Sequence, residues 1–382
     1  MQNNRILFVW DNPPSKNTGG VEHVTYILMH ELKKMREVEF LSTKSITSLE
    51  ITDLRCYIEN KGIGVIVYQN GGNPYYLRKI KESNPDIPCI TCCHQTPDAV
   101  SIYYNLRNIL WRTLKRKAGF GEILLNLARC IFFPIWYKNT INKLNEGARA
   151  TYELSDRFIL LSERFKTKAI KNWHLKSTAK LQSIGNPLTY TYTPERSLSL
   201  LSQKKGILIV SRLEECQKRI TLAMKAWKIA ENQLPADCKL YIVGDGNDAD
   251  TLNKYANKLG LKRVIFCGAQ RPVDYYKKCA LFLMTSAYEG WGLTLTEAQQ
   301  FGVVPIAMDS YESLRDIIDH NNNGIIVSDG DYTSMAYAII KLIQNDIERF
   351  RLAHNAVLSC ARFTAQATAT KWEQLIKELT QL

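Results

Sequence analysis

Short apolar runs alternate with helix-like segments along most of this chain, and this alternation limits the folds it can adopt. Runs of this kind are typical of strands buried in a parallel sheet, with helices covering both faces. The runs are residues 5–10, 64–68, 89–93 and 158–161 in a first series, and 206–210, 240–243, 264–267, 281–284 and 303–307 in a second. Two series in succession predict an α/β fold with two Rossmann-like, doubly wound domains.

The boundary between the two series is a polar stretch that begins at Asn186-Pro187 and runs to Lys205. A chain of 382 residues is also too long for one ordinary doubly wound domain. We therefore predict an N-terminal domain over residues 1–186 and a C-terminal domain over residues 187–362. Ligands of such folds bind at the carboxyl ends of the strands, so we expect the active site in a cleft that both domains face.

The formal charge of +13 is concentrated in the first half, where residues 1–190 carry +11. Residues 104–138 hold seven cations and one acid among leucines, phenylalanines and two tryptophans. A basic amphipathic stretch of this kind fits the surface of an anionic membrane. Two ordinary helices with solvated lysines would give the same pattern, and this alternative stays open. No nucleic-acid recognition module accompanies the charge, which ranks nucleic acid low as a partner.

Targeting and redox features are few. The apolar run at residues 6–10 is too short for a signal peptide, and no stretch approaches the roughly 20 residues of a membrane-spanning helix. We therefore expect a cytoplasmic protein. The ten cysteines are scattered, mostly within apolar runs, and are expected to be reduced. Cys89 to His94 lacks a second ligand pair at zinc-site spacing, so we predict no metal there.

The first candidate site is a glycine turn. Gly19 and Gly20 follow the strand at residues 5–10 and precede an amphipathic helix predicted over residues 21–35. A strand, a glycine loop and a helix in this order form a corner whose free backbone N–H groups bind anions.

The sharpest signal is the nonapeptide from Glu289 to Glu297, which follows the strand at residues 281–284 and opens a helix. Gly290 and Gly292 permit close backbone approach, and the helix start offers free N–H groups to a diphosphate. Glu297 lies within the helix, where its carboxylate can accept hydrogen bonds from ribose hydroxyls.

Two further turns follow strands of the second series. Arg212 and Lys218 come after residues 206–210, and two cations there can neutralise a leaving diphosphate. Gly244 opens a glycine turn after residues 240–243. Each turn alone is usually only a turn. Their joint order at successive strand ends of one domain is what favours a ligand site.

These residues resemble the retaining glycosyltransferases of family 4, which have the GT-B fold, and the resemblance is strongest over residues 206–327. Glu289 and Glu297 match the two glutamates of that family. Arg212 and Lys218 match its Arg–Lys pair. The resemblance implies that Glu297 binds the donor ribose, that Glu289 lies beside the sugar and leaving phosphate, and that Arg212 and Lys218 contact the donor phosphates. It also implies that the backbone of Gly292, Leu293 and Thr294 contacts the diphosphate.

The resemblance extends more weakly to the N-terminal half. Gly19 and Gly20 match its glycine loop facing the donor phosphates, and His94 resembles its histidine near the reacting sugar. The pair Cys92-Cys93 before His94 departs from the family pattern and puts the role of His94 in doubt. Residues 363–382 resemble a final helix that returns to the N-terminal domain. The family implies metal-independent chemistry with no cofactor, the cations replacing a metal.

The expected function is therefore transfer of a sugar, with retention, from a UDP- or GDP-sugar to a glycan or lipid-linked acceptor. The setting that the resemblance implies is synthesis of a bacterial surface polysaccharide. A peripheral position on the inner face of the plasma membrane would suit the basic segment. Two alternatives stay open: a nucleotide-sugar 2-epimerase on the same fold, and a non-catalytic nucleotide-sugar-binding protein. The sequence does not identify the sugar.

Overall fold

The computed structural model describes residues 5–16, 19–115 and 120–380. It divides into two compact units. The first contains the described parts of residues 1–98, 138–189 and 362–382, and the second those of residues 99–137 and 190–361. Each unit is built on one six-stranded parallel sheet. The predicted fold class is thereby confirmed.

The helices and strands are numbered in chain order. Up to residue 183 they are β1 (Arg5–Trp10), α1 (Gly20–Leu32), β2 (Val38–Ser42), α2 (Thr43–Ser48), α3 (Ile51–Asn60), β3 (Ile63–Tyr68), α4 (Tyr75–Ser83), β4 (Cys89–Cys93), α5 (Ala99–Tyr103), α6 (Leu106–Lys115), α7 (Phe120–Ile131), α8 (Phe133–Leu154), β5 (Arg157–Leu160), α9 (Lys166–Trp173) and β6 (Leu181–Ser183).

The remaining elements follow the break between the two series. They are α10 (Pro194–Ser199), β7 (Ile207–Val210), α11 (Glu215–Lys218), α12 (Ile220–Ala230), β8 (Leu240–Val243), α13 (Ala249–Lys258), β9 (Val264–Gly268), α14 (Pro272–Tyr276), β10 (Leu281–Met284), α15 (Leu293–Gln300), β11 (Val304–Asp309), α16 (Leu314–Ile317), β12 (Ile325–Ser328), α17 (Tyr332–Gln344), α18 (Asp346–Ser359) and α19 (Ala365–Thr380).

The two sheets have different strand orders. The first is β2-β1-β3-β4-β5-β6 and the second is β12-β11-β10-β7-β8-β9. The second order, read from β9, is the 3-2-1-4-5-6 arrangement of dinucleotide-binding folds. The order reverses between β1 and β3 in the first sheet and between β7 and β10 in the second. Such reversal points open the crevice in which doubly wound sheets bind ligands.

Burial explains why the apolar runs form central strands. All four residues of β7 and of β10 are buried, as are residues 6–9 of β1. Strands covered on both faces need apolar side chains at every position, which is why these runs do not alternate with polar residues. Hydrophobic packing against the flanking helices is the main stabilising contribution to each unit.

The structure differs from the sequence-based elements at three short strands and one helix. Strands β2, β6 and β12 were not predicted, and α10 lies within the stretch taken as a polar linker. Only one of the five residues of β2 is buried, and β6 is three residues long, so neither presents a continuous apolar run. Proline at the first turn of α10 favours a helix start there.

Residues 99–137, predicted as part of the N-terminal domain, group with the second unit. The Asn108 amide donates to the carbonyl oxygen of Cys216 over 3.5 Å, and the Cys216 thiol donates to the carbonyl of Asn108. This reciprocal pair ties α6 to α11. The basic segment at residues 104–138 therefore begins on the unit that carries the second sheet; its residues 116–119 lie outside the described part of the chain.

The final helix belongs to the first unit, as expected from the sequence. Helix α19 packs on α1, and Arg36 Nε donates to both carboxylate oxygens of Glu373 at 3.0 and 2.8 Å. The two side chains are only 4% and 11% exposed. Within the described ranges, no helix has the length and apolar character needed to cross a bilayer.

This ion pair predicts a measurable stability change. Replacing Arg36 by alanine leaves the Glu373 carboxylate buried with only the more distant Lys377, so we expect a loss of about 3 kcal/mol in the free energy of unfolding. Urea unfolding followed by circular dichroism measures it. The exposed Lys377→Ala variant is the control and should change stability by less than about 1 kcal/mol. Equal stabilities for the two variants would contradict the assigned role.

Candidate active site

Lys218 and Glu289 meet at the reversal point of the second sheet. Lys218 ends α11, which follows β7, and Glu289 lies in the loop after β10, the strand next to β7. The Lys218 ammonium donates to Glu289 Oε1 at 2.5 Å, with the side chains 14% and 11% exposed. The sequence placed both residues in the site without predicting that they pair. The pair leaves a buried cation and a buried carboxylate in direct contact at the strand ends.

The two loops that carry this pair are held together by further hydrogen bonds. Thr285 Oγ1 donates to the Lys218 carbonyl at 2.8 Å, and the Ala287 amide donates to the Gln217 carbonyl at 2.7 Å. Arg219 donates from Nε to the Thr285 carbonyl at 2.7 Å. Its backbone is left-handed, with φ of 47°, a conformation that costs energy in a residue with a side chain. The bonds from Arg219 hold this turn in place.

The buried carboxylate of Asp248 holds the start of α11. The Glu215 amide donates to Asp248 Oδ2 at 2.7 Å, and Glu215 Oε2 accepts from the Thr221 amide at 3.1 Å at the start of α12. Burial raises the pKa of Glu215 to about 7, although the Thr221 hydrogen bonds lower it. Lys218 is thus anchored through α11 at both ends, which orients its side chain toward Glu289.

Arg212 lies on the same loop but has a different environment. Its side chain is exposed, and Nη2 donates to Gln217 Oε1 at 3.2 Å. The structure therefore brings Arg212 to the strand ends beside Lys218, as predicted, and holds it at the surface. An exposed guanidinium can still rotate onto an anion that arrives at this edge.

Gly244 and Gly292 are required by geometry. A side chain at Gly244 would lie 1.9 Å from the Ser211 carbonyl oxygen, and its φ is +135°. Gly244 therefore lets the β8 loop pack against the β7 loop. Gly292 has φ of +95° and precedes α15. Because glycine has no side chain to cap the helix, the N–H groups of Leu293 and Thr294 are left to other acceptors.

Glu297 lies one turn further into α15 and is 8% exposed. Its Oε2 accepts a hydrogen bond from the hydroxyl of Tyr276 at 2.7 Å. Burial, and then the charge of Glu297, raise the pKa of Tyr276 well above its usual value, so the phenol stays a donor. Tyr276 ends α14 and lies 21 residues before Glu297, which is why the sequence motif did not reveal it.

A separate group of side chains lies at the reversal point of the first sheet. Gly19 precedes α1, and the carboxylate of Glu22 in its first turn accepts from Trp10 Nε1 at 3.1 Å and Asn12 Nδ2 at 3.0 Å. Burial opposes ionisation of Glu22, but hydrogen bonds from Asn12, its own backbone and Trp10 leave its pKa below the usual value. The exposed Gly19-Gly20 turn therefore has a buried negative charge beside it.

His94 follows β4 and joins this group. Its Nε2 lies 2.6 Å from Gln69 Oε1, so this nitrogen carries the proton and donates, which leaves Nδ1 as an acceptor. Burial lowers the pKa of His94 to about 4, against an opposing effect of Glu22. The ring is half-buried and packs edge-on to Trp10. His94 is thus a neutral imidazole at the carboxyl edge of the sheet.

Metal ligands do not converge in the part of the chain that the structure describes, which holds no cluster of three or more His, Cys, Asp or Glu side chains placed for a metal ion. Asp248 and Asp250 lie at the start of α13. Cys89 and Cys92 are buried in β4, and all ten cysteines are free thiols.

The site in the second unit therefore brings together Arg212, Lys218, Gly244, Glu289 and Gly292 at one sheet edge. Glu22, Gln69, Gln217, Arg219 and Tyr276 were missed by sequence reasoning. In the second unit, Gln217, Arg219 and Tyr276 are linked by hydrogen bonds to Arg212, Thr285 and Glu297. Glu22 and Gln69 belong to the separate group in the first unit, where they are linked to Trp10, Asn12 and His94. The sequence around the missed residues carries no signal of these partners, apart from the position of Glu22 three residues after Gly19.

Comparison with known proteins agrees with this geometry. Residues 195–358 match the family profile described as glycosyl transferases group 1. Over these residues the chain is similar to that family, in agreement with the resemblance to glycosyltransferases. The match spans β7 to α18 and therefore the whole sheet edge on which Lys218 and Glu289 lie.

Individual relatives are more distant. An uncharacterized glycosyltransferase of Haemophilus influenzae is 25% identical over 68% of this chain and 72% of its own length. The Campylobacter jejuni enzyme named GalNAc-α-(1→4)-GalNAc-α-(1→3)-diNAcBac-PP-undecaprenol α-1,4-N-acetyl-D-galactosaminyltransferase is 30% identical over 60% of this chain and 62% of its own length. The crystal structure of Anabaena HepE with UDP-glucose has a TM-score of 0.68 at 16% identity, covering 98% of this chain and 100% of HepE. The last likeness supports the GT-B fold.

The environment of His94 predicts how stability depends on pH. Its pKa is lowered on folding, so the unfolded chain binds the proton more tightly, and stability is lost as the pH falls from about 6.5 toward about 4. In His94→Gln, the free energy of unfolding should fall less steeply with decreasing pH over this window. The number of protons taken up on unfolding should be smaller by up to one. The exposed His30→Gln variant is the control. An unchanged slope in His94→Gln would contradict the burial of a neutral imidazole.

Proposed function

We propose that this protein transfers a sugar from a nucleotide-sugar donor to a glycan or lipid-linked acceptor, with retention of configuration at the anomeric carbon. The observation that carries the proposal is the Lys218–Glu289 pair at the reversal point of a 3-2-1-4-5-6 sheet. Glu289 lies four residues before Leu293, the first residue of α15, and no side chain caps this helix start. A cation and free amide groups on one sheet edge suit a diphosphate.

The donor is bound by the second unit in this proposal. Leu293 and Thr294 donate their N–H groups to the diphosphate, where the helix dipole is positive. Glu297 accepts from the ribose hydroxyls, while the Tyr276 hydroxyl holds Oε2 of the same carboxylate in place. A carboxylate held in one rotamer loses less conformational freedom on binding, which favours affinity.

The reaction needs stabilisation of the leaving group. The bond between the anomeric carbon and the phosphate oxygen breaks, and the nucleoside diphosphate leaves with the electron pair. The acceptor hydroxyl forms the new bond on the same face and passes its proton to the departing phosphate oxygen. Lys218 and Arg212 neutralise the charge that develops on the diphosphate, so that no metal is required.

Glu289 determines how available Lys218 is to the donor. In the structure the carboxylate lies 2.5 Å from the ammonium and neutralises it. The ammonium has three protons, so it could also donate hydrogen bonds to the phosphate oxygens of the nucleotide-sugar. Glu289 then lies beside the sugar, where it accepts from a sugar hydroxyl. The roles of Gly19 and Gly20 at the phosphates, and of His94 at the reacting sugar, are proposed from the family resemblance.

The substrates are proposed as a UDP-sugar and a lipid-linked glycan. HepE of the same fold has been crystallised with UDP-glucose, and the name of the Campylobacter relative specifies an undecaprenol-linked acceptor. Assembly of a bacterial surface polysaccharide combines these substrates. We accordingly place the protein in the cytoplasm, peripheral to the inner face of the plasma membrane, where such acceptors carry their glycan.

Product analysis tests the reaction itself. Purified protein with UDP-sugar, a lipid-linked acceptor and EDTA should release UDP in proportion to acceptor and form a product whose new linkage has the donor's anomeric configuration by NMR. An inverted linkage would contradict the mechanism. Conversion of the nucleotide-sugar to its 2-epimer without acceptor would instead indicate the epimerase alternative.

The Lys218→Ala variant should lose about 3 kcal/mol of transition-state stabilisation, roughly a hundredfold in kcat, because a charged donor to the leaving group is removed. Steady-state kinetics of UDP release measures this change. Lys254→Ala, an exposed lysine on α13 of the same unit, is the matched control and should turn over normally. Normal turnover in Lys218→Ala would remove the central cation from the mechanism.

A further inference from the structure

The exposed apolar side chains are concentrated in one segment of the second unit. Among the described residues, eighteen large hydrophobic side chains are exposed, and nine of them lie between residues 106 and 135. Isolated exposed leucines are common on protein surfaces, but a concentrated set indicates a surface that another apolar phase covers.

Helix α6 presents these side chains as a stripe. Leu106, Leu110 and Leu114 are 40%, 40% and 72% exposed and recur every four residues, which places them on one face of the helix. Helix α7 packs against α6 and repeats the pattern. Its Leu124, Leu127 and Ile131 are 51%, 48% and 74% exposed at helical spacing.

The opposite faces of these helices carry buried polar side chains, together with the buried Ile109 on α6. Asn108 and Arg112 on α6 are only 7% and 9% exposed, and Asn126 on α7 is 4% exposed. Asn108 donates to the Ile102 carbonyl at 2.8 Å, and the Arg112 guanidinium stacks on the Tyr103 ring at 4.2 Å. These contacts fix which face turns inward. The arrangement inverts the usual pattern of a surface helix, whose apolar face is buried.

The charge of the segment indicates what covers the stripes. Residues 104–138 hold seven cations and one acid. Arg112 is turned inward, whereas Arg107 on α6 and Lys138 on α8 are exposed. A second copy of this chain would bring the same positive charge to the interface, which is unfavourable. An anionic lipid surface supplies both an apolar layer and the opposite charge.

We propose that α6, α7 and the start of α8 form a surface that inserts its apolar stripes into the headgroup region of an anionic bilayer. The inference deepens the proposed function, on which it rests for the lipid-linked acceptor, because it assigns the membrane contact to helices of the unit that carries the donor site. The partner is the lipid surface itself.

Vesicle flotation of the full-length protein tests the surface. The probe is vesicles of phosphatidylglycerol mixed with phosphatidylcholine, compared with phosphatidylcholine alone. The wild type should float with the anionic vesicles and be released by salt. The triple variant Leu124→Ser, Leu127→Ser, Ile131→Ser should bind them at least about tenfold more weakly, because the side chains that insert are polar.

The matched control removes equally exposed apolar side chains elsewhere on the same unit. Tyr337, Ile347 and Leu358 on α17 and α18 are 62%, 85% and 49% exposed, and their triple serine variant should float as the wild type does. Retained UDP binding and circular dichroism show that each variant is folded. If the wild type floats with the vesicles but does not bind UDP, the proposed function is wrong and the membrane surface is still supported.

Three outcomes would overturn the proposal. One is wild-type flotation by the α7 triple variant. Another is equal loss in both triple variants. The third is that the wild type does not bind vesicles but forms a dimer in sedimentation velocity, and that the α7 triple variant does not form this dimer. That result would make a second copy of the chain the occupant of this surface.

Discussion

The ion pair between Lys218 and Glu289, 2.5 Å apart and nearly buried, is the interaction on which the arrangement of the site depends. Desolvating two charges is costly, and the cost is recovered only where geometry is fixed and the remaining polar groups are bonded. The Thr285, Ala287 and Arg219 hydrogen bonds provide that geometry by joining the β7 and β10 loops. In the proposed reaction, a diphosphate would meet a cation that is already positioned, so little reorganisation would be needed when charge develops.

Sheet topology determines where such a pair can form. In the second sheet, β7 and β10 are neighbours although about 70 residues separate them in sequence. The chain departs from them on opposite sides, which opens a crevice between their loops. The first sheet repeats the principle at β1 and β3, where Trp10 and Gln69 meet His94. The two reversal points have opposite character: one offers a cation and helix N–H groups, and the other a neutral imidazole beside an ionised carboxylate.

The sheets could be predicted from the sequence, and the candidate site residues could be placed at strand ends, because both follow local rules. The buried strands read as continuous apolar runs, and β4, β8 and β10 were placed at their observed bounds. Glycine turns after strands located Gly244 and Gly292. Sequence reasoning missed β2 because that strand is only partly buried, and it missed Tyr276 because its link to Glu297 is a tertiary contact. The membership of residues 99–137 also depends on a tertiary contact, between Asn108 and Cys216. The periodicity of α6 and α7 shows an apolar stripe but not whether the stripe faces the protein interior or the solvent, so its exposure could not be predicted.

The most direct measurement of the central claim is a thermal-shift screen of the purified protein against UDP-, GDP- and ADP-sugars and the free nucleotides, in EDTA. A ligand at 100 times its dissociation constant stabilises the fold by about 2.7 kcal/mol, which a melting curve resolves. The account predicts a shift with one nucleotide series, the UDP series, that is lost in Glu297→Ala and retained in the distant Lys254→Ala. No shift with any nucleotide, or a shift that Glu297→Ala leaves unchanged, would contradict the placement of the donor site at the start of α15.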